Sequence, residues 1–179
     1  MKSRTKQVLL ILHIIAWIIF IGLCIKTGSI LYSFFVSLAI NSAGAKNLHL
    51  GLDLSDLYRF NTRHYVTIVM YIIFLSALKA YLFYLVIKIF LKINFVSPFS
   101  TEVSFLISKI GQVALGIGIL TLVAVGYVAW LTKKGVTFPD LRQYLGGAGE
   151  FLLLGGIIFI IAQVFKRGIE IQSENELTV

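Results

Sequence analysis

A lysine and a glutamate interrupt two of the long apolar stretches in this sequence, at Lys79 and Glu150. A charged side chain at the centre of a bilayer costs about 2.5–3.5 kcal/mol on insertion scales, so it usually faces protein or a cavity. We therefore predict that Lys79 and Glu150 pair across two helices, as a structural ion pair or along a path for a small solute. A lysine that extends toward the headgroups without pairing is the alternative interpretation.

Three uncharged polar residues also lie within apolar stretches. They are His13 in the first stretch, Gln112 in the third and Gln163 in the fourth. Polar side chains in membrane spans often form hydrogen bonds between helices, worth about 0.6 kcal/mol on average. We expect this structural role for all three. A proton relay through His13, Lys79 and Glu150 is the functional alternative.

The longest polar stretch, residues 41–64, contains two histidines and two aspartates: His49, Asp53, Asp56 and His64. A zinc site would need three or four converging ligands. The spacing of these residues matches no established metal-binding motif, so we expect solvated side chains and no metal. The lone cysteine, Cys24, can form neither an internal disulfide nor a zinc site, and we expect a small buried hydrophobic residue.

Motifs of nucleophilic, nucleotide and metal-dependent enzymes do not occur in the chain. It has no Gly-x-Ser-x-Gly, Walker loop, His-Glu-x-x-His or Cys-x-x-Cys. Residues 146–149 (GGAG) lack the preceding strand and following lysine of a phosphate loop, and indicate a flexible span start or a close helix contact. We expect no enzymatic activity and no cofactor.

The composition is that of a membrane protein. Of 179 residues, 58% are hydrophobic and 13% are charged, whereas soluble domains average about 45–50% apolar and about 25% charged. The net charge is +8, and the basic residues flank apolar blocks. Anionic lipid headgroups are therefore the expected counter-charge, and direct nucleic-acid binding is not expected.

The apolar blocks predict an all-α fold, an integral membrane four-helix bundle formed by one domain over residues 1–179. The expected spans are residues 8–25, 65–91, 103–131 and 143–165, each long enough to cross a bilayer. Before the third span, Pro98 is expected to end helical geometry, and Ser100 and Thr101 to cap the helix that follows. Residues 26–64 form a small extracytoplasmic loop region. Its apolar patch, residues 30–40, either continues the first helix or lies in the interface. Residues 41–64 suggest short strands or a helical turn that Ser55 and Asp56 would cap.

An even number of spans places both termini on one side of the membrane. The basic start of the chain, with Lys2, Arg4 and Lys6, favours the cytoplasm, although the other basic residues are nearly balanced between the two sides. The expected location is the bacterial cytoplasmic membrane.

Residues 166–179 would then form a cytoplasmic tail. Its candidate partner-binding residues are Lys166, Arg167, Glu170, Glu174 and Glu176. If the tail is helical, Glu170 and Glu174 share a face. It would dock on the basic connector near Lys92 and Lys109, or on a basic cytoplasmic partner; a disordered, solvated tail is the alternative.

Two segments carry a family resemblance: residues 97–102 (SPFSTE), which lead through residues 106–111 (LISKIG) into a helix, and residues 165–179 (FKRGIEIQSENELTV). Together they resemble a bacterial membrane family catalogued as domain of unknown function 2975. Ser97 and Val179 depart mildly from its usual asparagine and isoleucine. The resemblance implies four spans but no established activity. It also implies a regulatory link, because members are often encoded beside a small helix-turn-helix regulator of the Cro/cI type.

These observations favour a non-enzymatic regulatory or sensory membrane protein with a helix-turn-helix regulator as its cytoplasmic partner. A small transporter or channel subunit, with Lys79 and Glu150 in the path, is the alternative. Because four helices are few for a monomeric transporter, that alternative would require a homo-oligomer. An intramembrane enzyme is the third class, and the absence of catalytic motifs disfavours it.

Overall fold

The structure, a computed structural model, describes residues 2–93 and 99–176, with side chains from 6 to 93 and from 99 to 174. These residues form helices and turns and no strand. Four helices are long and apolar enough to cross a membrane: α1 (Lys2–Ala39), α3 (Thr62–Lys92), α4 (Thr101–Lys133) and α6 (Ala148–Glu176). The prediction of an all-α four-helix membrane bundle is confirmed.

The four long helices pack in the order α1, α3, α4, α6. Helices α1 and α3 run antiparallel, because the His13 ring contacts Phe90 near one end of the pair and the Phe34 ring contacts Tyr65 near the other. At the α4–α6 interface, Gly111 lies against Ile158. The chain therefore starts and finishes at the same end of the bundle.

Helix α1 is longer than the first predicted span. It continues through the apolar patch to Ala39, so residues 26–39 are helical and do not belong to a loop. Its 38 residues reach about 57 Å, against about 30 Å for the hydrocarbon core of a bilayer. Part of α1 must therefore extend beyond the bilayer core or cross it at a tilt.

The loop region between α1 and α3 is short and helical. A 3₁₀ helix, Ser42–Lys46, is capped by the side chain of Asn41, and the short α2 follows at Ser55–Phe60. The expected helical turn is thus present. Its predicted cap is wrong, because the carboxylate of Asp53 accepts from the Ser55 backbone N–H at 2.8 Å and neither Ser55 nor Asp56 acts as the cap.

The connector after Lys92 joins α3 to α4. The Ser100 side chain caps α4 by accepting from the Val103 N–H at 3.3 Å, as the sequence predicted. Residues 94–98 of the connector, with the predicted helix stop at Pro98, and residues 177–179 of the tail lie outside the described residues. A four-residue helix, α5 (Arg142–Leu145), precedes α6.

Candidate functional site

Lys79 lies halfway along α3 and faces the start of α6. Its Nζ is 5.3 Å from the centroid of the Phe151 ring, and the side chain is half-buried. No ion pair joins it to Glu150, although both residues are described, so the predicted pair is not formed. Glu150 is instead exposed in the first turn of α6, where the helix dipole favours a carboxylate.

A second lysine, Lys26 of α1, meets the same corner of the fold. Its Nζ donates to the Gln143 backbone oxygen at 3.2 Å and lies 4.5 Å from the centroid of the Tyr144 ring. Lys79 is close enough to act on the charge of Lys26. We refer to Lys26 and Lys79 as the lysine pair. It brings two ammonium groups from separate helices to the α5–α6 corner.

The sequence does not mark Lys26 as a site residue, because the predicted first span ends just before it, at residue 25. The one signal available was a lysine followed by a further apolar patch, which suggests a charge held within a continuing helix. Its contact with Gln143 joins residues 117 apart in sequence, and no local pattern predicts that contact.

Two glycines make the α5–α6 corner possible. Gly147 has a φ of +89°, in the left-handed region that favours glycine. A Cβ at Gly146 would lie 2.2 Å from the Arg142 carbonyl oxygen, so no side chain fits there. The prediction for residues 146–149 is thus refined: these glycines form a tight corner that aims the first turn of α6 toward the lysine pair.

One buried polar atom near this corner has no partner among the described residues. The hydroxyl of Thr121 in α4 is fully buried and makes no hydrogen bond. Thr121 lies one turn from Gly118, on the same side of α4, and a Cβ at Gly118 would be 3.1 Å from the Ala148 oxygen. The unpaired hydroxyl is therefore close to the start of α6.

His49 borders the same region from the loop. Its Nδ1 is 3.2 Å from Ser29 Oγ, and its backbone oxygen accepts from the Tyr144 hydroxyl at 2.7 Å. Burial, followed by the nearby Lys26 charge, lowers the pKa of His49 below its ordinary value. These contacts hold the loop against α5 and favour a neutral imidazole.

The other polar residues of the loop do not join His49. The pKa of Asp53 is lowered, chiefly by its hydrogen bonds from Ser55, and His64 Nδ1 is 2.7 Å from the Tyr127 hydroxyl. Within residues 6–93 and 99–174, whose side chains the structure describes, no three His, Cys, Asp or Glu side chains are placed to hold a metal ion.

The proposed relay through His13 is not connected. Trp17 Nε1 donates to His13 Nε2 at 2.8 Å, and the His13 ring stacks on Phe90 at 5.7 Å between centroids. Thirteen residues, about 20 Å along α1, separate His13 from Lys26. His13 therefore packs α1 against α3 through its ring and lies far from the lysine pair. Its hydrogen bond is within α1, and the expected hydrogen bond between helices is not formed.

Three further residues face outward where sequence analysis expected contacts inside the bundle. Gln112 of α4 and Gln163 of α6 are exposed on the outside of the bundle. Cys24 is exposed as well, contrary to the expected burial, and lines an apolar groove of about 490 Å³ between α1 and α3 with small residues such as Ala77 and Ala80.

The tail is a direct extension of α6, which remains helical to Glu176. Arg167 pairs with Glu170 at 2.9 Å, and Lys166 and Glu174 are exposed, whereas the side chain of Glu176 lies outside the described residues. Of the two connector lysines expected to attract the tail, Lys92 pairs instead with Glu102 at 3.0 Å. The disordered alternative is thus excluded for the described part of the tail.

The connector contacts α6 through an aromatic ring. The rings of Phe99 and Phe165 meet edge to face at 5.3 Å, and a Cβ at Gly168 would lie 2.6 Å from the Phe99 ring. Helix α6 continues through Gly168 without a break. The role of this glycine is to let the ring pack closely against the point where the tail begins.

The chain matches the family model described as protein of unknown function (DUF2975) over residues 49–179, which is more than half of its length. No curated protein and no solved structure matches it.

Proposed function

We propose that this chain, which belongs to the DUF2975 family, is a non-enzymatic regulatory membrane protein that binds a basic cytoplasmic partner through the end of α6. One observation carries the proposal: α6 leaves the apolar region at Lys166 and Arg167 and continues as a helix to Glu176. The extension is about ten residues, or about 15 Å.

The extension has the charge and the support that a docking element needs. Residues 168–176 contain three glutamates and no basic residue, in a chain whose net charge is +8. So short a helix is marginal in water on its own. Its continuity with α6 and the packing of Phe99 on Gly168 hold it in place, which lowers the entropy cost of binding.

A basic DNA-binding protein is the partner that this surface fits by charge. The small helix-turn-helix regulators implied by the family resemblance are of this type. Binding to an acidic helix at the membrane would hold such a regulator away from DNA, because both ligands would compete for its basic surface.

The interior of the bundle gives less support to a transporter than the tail gives to a regulatory protein. Among the described residues no charged side chain is fully buried, and the buried polar groups are hydroxyls, those of Ser37, Ser76, Thr121, Tyr65 and Tyr144. The predicted pair of Lys79 and Glu150, on which the path depended, is not formed. A bundle with this interior offers an ion few ligands across the apolar core.

The test compares three strains: one lacking the chain, one with the chain truncated before Gly168, and one carrying Glu170→Lys with Glu174→Lys. A photo-crosslinking residue at Ser173 reports the partner, and RNA sequencing reports regulation. We expect wild type to crosslink to a DNA-binding protein. Both tail variants should insert normally and reproduce the transcript changes of the strain lacking the chain. The charge-reversal variant, which keeps position 173, should also lose the crosslink.

Asp56→Lys is the matched control, since it reverses an exposed acid at the other end of the bundle, and it should behave as wild type. Truncated protein that inserts and preserves wild-type transcripts would remove the tail from the function. A strain without the chain and with unchanged transcripts would overturn the regulatory role itself.

A further inference from the structure

We propose that the lysine pair, at the α5–α6 corner, binds a phosphate group. This site lies at the opposite end of α6 from the tail and does not depend on the partner proposed above. Lys26 approaches from α1 and Lys79 from α3, and the two ammonium groups face the same corner, beside Tyr144 and Phe151.

The electrostatics of the lysine pair call for an anion. The two charges repel each other, and among the described residues no carboxylate lies within ion-pair distance of either ammonium. The rings of Tyr144 and Phe151 and the Gln143 oxygen attract the ammonium groups without cancelling their charge. A phosphate between them would convert the repulsion into two charge-assisted contacts.

The surroundings add donors to the same place. Gly146 and Gly147 turn the chain so that α6 begins beside Lys79, and the positive end of its dipole is favourable for an anion. The Thr121 hydroxyl, fully buried and without a partner, lies close to this first turn.

The level of the corner in the membrane suggests where the phosphate comes from. Sixteen residues separate Glu150 from Lys166 along α6, about 24 Å, which is close to the thickness of a bilayer core. If Lys166 marks one headgroup layer, the lysine pair lies at the other. The phosphate could therefore belong to an anionic lipid headgroup or be a free anion, and the experiment separates these sources.

The experiment measures thermal unfolding of the purified full-length chain in nanodiscs of three kinds. They contain phosphatidylcholine alone, phosphatidylcholine with increasing phosphatidylglycerol, or phosphatidylcholine alone with inorganic phosphate in the buffer. A rise in Tm with phosphatidylglycerol but not with inorganic phosphate identifies the lipid headgroup as the ligand. A rise with inorganic phosphate identifies a free anion. Wild type that shows neither rise overturns the proposal.

Variants assign the effect to the lysine pair. Lys26→Gln and Lys79→Gln should each raise the half-saturating ligand level about tenfold, since each removes one charge-assisted contact. The arginine variants keep the charge and should retain binding. Lys88→Gln is the matched control, because Lys88 is an exposed lysine of α3 that also lies over a ring, that of Tyr84, and it should bind as wild type does.

A purely structural role for the lysines predicts a different result. In phosphatidylcholine alone, the glutamine variants would then unfold at lower temperature than wild type, and the Tm rise with ligand would remain. Under our proposal their unliganded Tm is equal or higher, because a repulsion has been removed. A ligand-induced rise that persists in both glutamine variants would overturn the assignment.

Discussion

Lys79 shows how a burial argument can be correct about a residue and wrong about its partner. The sequence places it within a long apolar stretch, which predicts that it faces protein, and the structure places it over Phe151. The expected partner, Glu150, lies near the start of the fourth predicted span. Glu150, however, lies in the first turn of α6 and is exposed. The helix dipole stabilises its carboxylate there without an ion pair to Lys79.

This arrangement predicts additive changes in the free energy of unfolding in a double-mutant cycle of Lys79→Met and Glu150→Gln. A buried pair would give non-additive losses, because each single variant would strand a charge. Since no ion pair joins the two residues, we expect a coupling energy below about 0.5 kcal/mol. Thermal unfolding in detergent at neutral pH measures it. Strong recovery of stability in the double variant would show that the pair forms after all.

At the scale of the helices, apolar periodicity and length locate the spans well, but they do not fix the ends. Lys26 looks like the end of the first span because a charge usually marks the headgroups. It lies within α1 because its ammonium finds the Gln143 oxygen and the Tyr144 ring in a distant part of the chain. Caps are local and were partly predictable, as at Ser100, whereas the corner contacts are tertiary and were not.

The α4–α6 interface depends on glycines whose roles differ between neighbours in sequence. A Cβ at Gly155 would lie 2.6 Å from Leu115 Cγ and 2.9 Å from the Leu115 backbone nitrogen, while a Cβ at Gly156 would meet nothing within 4 Å. The small-xxx-small patterns of the sequence are common in membrane helices, so only the packing distinguishes which glycine is required.

We therefore predict that Gly155→Ala destabilises the chain by about 1–3 kcal/mol through overpacking against a backbone atom that cannot move freely. Gly156→Ala should be neutral or stabilising by up to about 1 kcal/mol, because alanine is the better helix former. Thermal unfolding of the two variants in the same detergent compares them directly. Equal stabilities would mean that α4 and α6 do not approach each other as described.

On the scale of the whole molecule, the antiparallel packing brings both chain ends to one end of the bundle. The lysine pair and the loop helix α2 lie toward the other end. The family implied by residues 97–102 and 165–179 is confirmed by the match over residues 49–179. Neither this match nor the packing specifies which end faces the cytoplasm, because a bundle can insert either way up and the basic residues are nearly balanced.

The basic start of the chain decides our prediction of the orientation: both termini face the cytoplasm, and α2 faces outward. Cysteine labelling on a Cys24→Ser background tests it, because Cys24 is the one native thiol of the chain. A cysteine at Ser55, the first residue of α2, should react in intact cells with a membrane-impermeant maleimide. A cysteine at Ser173, exposed on the α6 extension, should react only after permeabilisation. The reverse pattern would place the acidic extension outside the cell, beyond the reach of any DNA-binding regulator.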